Sequence, residues 1–351
     1  MTPSYSIRTT ASFAVSAAPA EAGAIVDADS TYMAKETGST SIYLGIELFR
    51  LWGASSIVWI HFGSTQIPGV GFAVPCFMII SFFFSWKMID SVDAVKLRQR
   101  LWRLAVPFFA WGFVSYIVAL ALGTSSGIAP LIWQLTLGHS TCAPLYFLFN
   151  VAVLMVVLFM LRKFMAFRIF WCVVTALLVV CLWAQYSGVN YCIWKSLPFE
   201  ASYPIGRIFE LFPHAVAGCA LAALECRGWR AFVLGVILFG CGVLMNMCTP
   251  FRVSDQFGYA GLVNLLGASG LVLSATAWRG GKRSSFGVCS LSIATAGVYF
   301  IHPIVGSILN HFELGCFSLV LIISFSITLL GLHVPLVCVL FNKRHPIAKK
   351  A

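Results

Sequence analysis

Arg50 and His61 stand eleven residues apart in a stretch that is otherwise almost entirely apolar. Eleven residues of α-helix make about three full turns, so the two side chains share one face, about 16 Å apart along the axis. A guanidinium stays charged and can polarise a carbonyl or hold an anion. An imidazole changes protonation near neutral pH and can serve as a general base. Glu47 lies one turn before Arg50 and can neutralise it. Two readings fit this spacing: an ion pair with a hydrogen-bonded histidine at a membrane interface, or two working groups along a substrate path. An ionisable residue deep in a membrane span costs about 2.5–3.5 kcal/mol on insertion scales, so each of the three needs a reason.

Further candidates follow along the chain. The segment Lys96-Leu-Arg98-Gln-Arg100-Leu-Trp-Arg103 precedes Pro107 and Trp111. Arginine matches phosphate with two parallel hydrogen bonds, and Arg100 and Arg103 are neighbours at i, i+3. Attraction to anionic headgroups accounts for the same cluster without any ligand. Ser81 sits in the apolar run Phe77 to Phe84. Arg207, Glu210 and His214 are spaced three and four apart, as a self-neutralising network or the lining of an aqueous cavity. His302 precedes Pro303 at about the same depth as His61 in its own helix. His139, His311, His333 and His345 have no metal-ligand spacing, so no metal is expected. No GxSxG elbow, P-loop or HExxH is present.

The elements that must position these residues are membrane helices. Of 351 residues, 60% are hydrophobic and 10% charged, against about a quarter charged in a soluble domain. Apolar runs suited to spanning cover 41–63, 68–88, 104–124, 144–161, 168–187, 204–224, 230–249, 258–278, 288–310 and 314–341. The fold class expected is therefore all-α, a polytopic bundle of about ten transmembrane helices. The stretch Ile128 to Leu137 is too short to span and is expected in the interface or as a re-entrant segment. A polar tail (residues 1–40) precedes the membrane domain (41–341), and a short basic tail (342–351) follows it. The first tail is expected to be disordered, and Met33 is an alternative start. The formal charge of +11 would suggest nucleic acid in a soluble protein. Here Lys and Arg cluster in every second connection and at the C-terminus, while the alternate ones hold only Lys195 and Arg252. The positive-inside rule then puts both termini in the cytoplasm. The twelve cysteines include no CxxC pair. Most lie in apolar runs and are expected as small core residues; Cys142 and Cys192, in two outer connections, are candidates for a disulfide.

Taken in order, Glu47-Leu-Phe-Arg50 with His61, Phe77 to Phe84, Arg100-Leu-Trp-Arg103 with Pro107, Leu145-Tyr-Phe-Leu148 and Tyr299-Phe-Ile-His302 resemble the membrane-bound acyltransferase type 3 family. That family transfers acyl groups to sugars and other acceptors at the bacterial envelope. Phe82 stands where the family usually has glycine, and Tyr146 where tryptophan is common. The resemblance implies acyl-CoA as donor substrate, with no permanently bound cofactor. It implies a hydroxyl of an envelope or extracellular glycan as acceptor, and acetyl as the expected acyl group. His61 would be the general base, and Arg50 would act on the acyl carbonyl or the donor. Lys96, Arg98, Arg100 and Arg103 would hold the donor phosphates. Glu47, Ser81, Arg207, Glu210, His214 and His302 would line the cavity. The other partner is the lipid bilayer, with no nucleic acid and a multi-pass place in the cell membrane. The competing reading is a transporter or flippase for a sugar or lipid-linked substrate, whose path the same ionisable residues would line. A relative turned sensor or scaffold is the third.

Overall fold

The computed structural model describes residues 43–63, 70–138, 145–187, 196, 199–226, 228–247, 261–280 and 286–334. Both tails, Cys142, Cys192, His139 and His345 lie outside the described residues. Within them the chain is all-helical. The helices are α1 (Leu44–Phe62), α2 (Ala73–Asp90), α3 (Ala94–Ala121), α4 (Ala129–Leu137), α5 (Tyr146–Phe164) and α6 (Phe167–Tyr186). Then come α7 (Phe199–Ala223), α8 (Gly228–Met247), α9 (Leu262–Ala277), α10 (Phe286–Ile293), α11 (Thr295–His311) and α12 (Phe317–Gly331).

Six of the described helices are long and apolar enough to cross a membrane: α2, α3, α5, α6, and the greater parts of α7 and α8. The helices α9 and α12 are apolar but shorter. These features make the protein a multi-pass membrane protein. The helices that carry Arg50, His61 and His302 are not among the six: the polar residues of α1 lower its hydropathy, and α11, also interrupted by polar residues, has only 17 residues. Burial separates the bundle's centre from its rim. About the most apolar window of α2 and of α7, 72% of residues are inside the protein, against 17% for α6 and α8. The exposed rim residues are Val179, Val180 and Trp183 on α6 and Phe232, Ile237 and Leu244 on α8. A belt of this composition faces hydrocarbon at no cost, whereas in water it would be a large sticky patch.

Two boundaries differ from the sequence expectation. The basic segment from Lys96 to Arg103 is not a linker: it forms the first turns of the 28-residue α3. The Asp93 side chain caps that helix by accepting from the Lys96 amide at 3.0 Å, which supplies the helix start that the charge pattern hid. A helix of this length runs to about 42 Å, more than the ~30 Å hydrocarbon core, so its basic end projects past the apolar layer. The ninth apolar run is broken at Ala294 into α10 and α11. Ser292 Oγ donates to Cys289 O and Thr295 Oγ1 to Ser292 O, local bonds that compete with the helical ladder there. The part of the last run that lies within the described residues forms α12 and a turn to Val334.

The short segment near Ile128 forms α4, with Gly138 left-handed at its end. Its buried Gln134 donates to Gly112 O of α3 at 2.7 Å and to Ser115 Oγ. Phe82 is wholly buried where α2 meets α7. The close approach that a glycine at 82 would allow is made from the other side by Gly218. A Cβ there would lie 2.4 Å from Ile79 O and 2.9 Å from Phe82 Cβ.

Candidate active site

α1 is the axis of the site. It packs against α2, α9, α10, α11 and α12. At its start Gly45 N donates to Trp278 O at 3.1 Å. A Cβ on Gly45 would come 2.3 Å from Ala275 O, so only glycine permits this contact with α9. Arg279 ties down the same end, donating to Tyr43 Oη at 2.9 Å with its guanidinium carbon 4.5 Å from the Tyr43 ring centroid. Tyr43, Arg279, Phe83, Thr276, Glu225 and Cys226 help line a small cleft beside it.

One turn further, Arg50 Nη1 donates to Glu47 Oε1 at 3.2 Å. Glu47 is buried, and its other oxygen accepts from Ser292 Oγ at the α10–α11 break. The carboxylate therefore has partners from two elements, which offsets its desolvation. The Arg50 guanidinium carbon lies 6.0 Å from the Phe84 ring centroid. Arg100 reaches the same place from α3. Its Nη1 donates to Ser85 Oγ at 2.7 Å and its Nη2 to Phe84 O at 3.0 Å. Ser85 Oγ donates in turn to Ser81 O, and Ser81 Oγ to Phe77 O, at 2.6 and 2.7 Å. Ser81 thus spends its proton on its own helix. Phe84 consequently joins two arginines that the sequence presents separately, one against its ring and one on its carbonyl.

The other basic residues divide by face. On an α-helix Lys96, Arg100 and Arg103 lie within about 60° of one another, while Arg98 points nearly opposite to Arg100. Lys96 pairs with Asp93 at 3.0 Å. The Lys96 amide and ammonium together hold the Asp93 carboxyl below the usual carboxylate range.

At the far end of α1, His61 is exposed and stands over α11. Its ring centroid is 5.4 Å from that of His302, with 35° between the planes. His302 is completely buried, its Nδ1 bonds Val298 O at 3.0 Å, and its Nε2 has no hydrogen-bond partner among the described residues. Phe62 and Tyr299 flank it, with ring centroids 6.5 and 6.2 Å away. Between Arg50 and His61 the shared face of α1 is filled by Ala54 and Ile57, both buried. Ala54 and the adjoining Val58 belong to an apolar cluster with Val298, Ile301 and Val305 of α11. The column is closed in this conformation.

Arg207, Glu210 and His214 form a second polar group on α7. All three are buried, Arg207 pairs with Glu210, and His214 Nδ1 bonds Glu210 O at 3.1 Å. α7 packs on α2, α5, α6 and α9, and α2 and α9 pack in turn on α1. The α7 network is therefore set behind the first rank of helices around α1. Three contributors were invisible in the sequence reading: Ser292, Ser85 and Tyr43. Each is an ordinary residue type on another helix or at a helix start, and nothing local marks it.

Among the described residues no group of three or more His, Cys, Asp or Glu is arranged to hold a metal ion. Of the cysteines, Cys76 and Cys219 are fully packed in the core, as expected for small apolar residues, whereas Cys172 and Cys241 are exposed. A family model for an acyltransferase domain matches residues 43–338. No curated protein matches the chain, and no solved structure does.

Proposed function

Because the chain belongs to the type 3 acyltransferase family, we propose that it moves an acyl group, acetyl in the first instance, from cytoplasmic acyl-CoA to a hydroxyl of an envelope or extracellular glycan. That it is a membrane acyltransferase follows from the family; donor, acceptor and residue roles are the proposal. Ten spans with both termini in the cytoplasm put the Arg50 end of α1 inward and the His61 end outward. The observation that carries this reading is the division of chemistry along one helix face, with cations gathered at one end and imidazoles at the other.

CoA is polyanionic, so its phosphates belong at the cationic end, where Arg100 and Arg103 are the candidates. Arg50 lies between that mouth and His61, placed to hold the donor arm as Ala54 and Ile57 part to admit it. His61 accepts the proton of the acceptor hydroxyl while the oxygen attacks the thioester carbonyl. The new C–O bond forms, the C–S bond breaks, and the sulfur leaves with the electron pair as CoA thiolate. Glu47 balances Arg50, so the bundle holds that cation without an unpaired charge.

The test uses labelled acetyl-CoA and membranes containing the protein. Acyl label is expected in envelope material and is expected to vanish in His61→Ala, with that variant still in the membrane. Full transfer by a well-expressed His61→Ala removes His61 from the mechanism. Translocation of a sugar without acyl incorporation would favour a transporter.

A further inference from the structure

The geometry points to His302 as a positioning residue for His61, through a hydrogen bond from a His61 N–H to the Nε2 lone pair of His302. This inference rests on the acyl-transfer reading of His61. Its basis is the form in which His302 is held. A carbonyl oxygen only accepts, so His302 Nδ1, bonded to Val298 O at 3.0 Å, must carry the proton. In the neutral ring Nε2 is then an acceptor, and this buried nitrogen has no partner among the described residues. A buried acceptor without a partner is uncommon and calls for an explanation. The polar ring beside it is that of His61, with centroids 5.4 Å apart. A hydrogen bond needs about 3 Å between heavy atoms, the separation left at 5.4 Å between centroids when a nitrogen of each ring faces the other along the line joining them.

Such a bond assigns His61 a tautomer. With one ring nitrogen donating to His302, the other is left unprotonated and available to the acceptor hydroxyl. When His61 takes that proton it becomes a cation, and the His302 lone pair faces the N–H on which positive charge gathers. His302 itself gains and loses no proton. The surroundings hold the His302 ring in place. Val298 O fixes one edge of His302, and the Phe62 and Tyr299 rings flank it. Gly306, one turn beyond His302, admits the Phe62 ring where a Cβ would lie 1.9 Å from Phe62 Cζ.

Two measurements on the full-length protein in lipid bilayers test this. The first is the ring ¹⁵N magnetic resonance spectrum of histidine-labelled protein, assigned by single substitutions. His302 is expected as the Nδ1–H form, and His302→Phe is expected to shift the His61 ring signals. A resting His302 protonated at Nε2, or His61 signals indifferent to His302→Phe, overturns the proposal. The second is transfer from labelled acetyl-CoA into membrane material. His302→Phe is expected to lower the maximal rate about 10–100-fold, the scale for losing an outer hydrogen-bonding partner that holds a functional histidine's tautomer, with an unchanged KM for acetyl-CoA. His302→Gln can set an amide oxygen where Nε2 lies, and most of the rate is expected to return. Equal losses in both variants, full rate in both, or a loss carried by KM overturns it. If His302→Phe does not accumulate, the tautomer of the wild-type ring and the His302→Gln rate still decide. An active His61→Ala would defeat the general-base role alone, since the ring spectrum reports the pairing independently of turnover.

Discussion

Arg100 illustrates how a residue chosen for one chemistry acquires a second. Its spacing from Arg103 suggests phosphate, yet two of its five N–H donors hold Ser85 Oγ and Phe84 O of the neighbouring helix. A lysine cannot reproduce that planar fork. Arg100→Lys is therefore expected to destabilise the protein by about 1–3 kcal/mol, the worth of charge-assisted bonds, in thermal or denaturant unfolding. Ser85→Ala is expected to show part of the same loss, and the double variant less than the sum. If acyl-CoA KM rises in Arg100→Lys but not in Ser85→Ala, the donor role is separate from the structural one. The same residues show what a sequence exposes. Glu47, Arg50 and His61 were legible because one helix carries all three, and helical spacing alone ranks them on a face. The partners that complete them were not. Ser292 meets Glu47 across 245 residues and Arg279 meets Tyr43 across 236. Periodicity has no reach over such separations, and only the packing of α1 against α9, α10 and α11 brings them together.

At the scale of elements, the closeness of α1 to its neighbours rests on small residues whose surroundings differ. A Cβ on Gly45 would meet backbone, the Ala275 carbonyl at 2.3 Å. Backbone cannot swing aside, so Gly45→Ala is expected to cost about 1–3 kcal/mol in stability, as overpacking does. A Cβ on Gly306 would meet the Phe62 ring, a half-buried side chain and not backbone. Gly306→Ala is thus expected to keep the fold but displace Phe62, next to His61, and to slow transfer more than it lowers the unfolding temperature. The start of α3 makes a different prediction. Asp93 is a helix cap whose carboxyl is held below the usual range by the Lys96 amide and ammonium. A depressed folded-state pKa means that the stabilisation is present above the unfolded value of about 3.9 and fades as pH falls through the lower folded value. The protection factors of the amides over Val95 to Leu97, exchange rates taken relative to the intrinsic rate at each pH, should therefore fall in acid in the wild type. Asp93→Ala should show fast exchange at neutral pH, while Asp93→Asn keeps most of the protection, because asparagine caps nearly as well. Apolar length alone placed a boundary at 104, since the helical turns that precede it are basic; the cap residue at 93 was the local signal for the true start.

At the scale of the molecule, transfer from a cytoplasmic donor depends on which way the bundle faces. A donor from the cytoplasm and an acceptor outside meet only if the Arg50 and His61 ends of α1 open to opposite compartments, and the cations of alternate connections are what argue for that. The packed Ala54 and Ile57 between them are consistent with a barrier that opens for the acyl arm and otherwise keeps the compartments apart. The protein carries its own reporters of orientation. Cys142 and Cys192 fall in connections expected outside, and Cys226, half-buried after α7, falls in one expected inside. A membrane-impermeant maleimide added to intact cells should modify Cys142 and Cys192, after an impermeant reductant if the two are paired, and should leave Cys226 alone. Permeabilised cells should then yield Cys226 as well. Peptide mass spectrometry reads all three in one experiment. Labelling of Cys226 from outside would invert the bundle, bring the arginine end to the exterior, and leave the cationic mouth facing a compartment without acyl-CoA. A chain turned that way could still hold an anion at Arg100, but it could not draw on the cytoplasmic donor, so orientation decides the donor before any residue does.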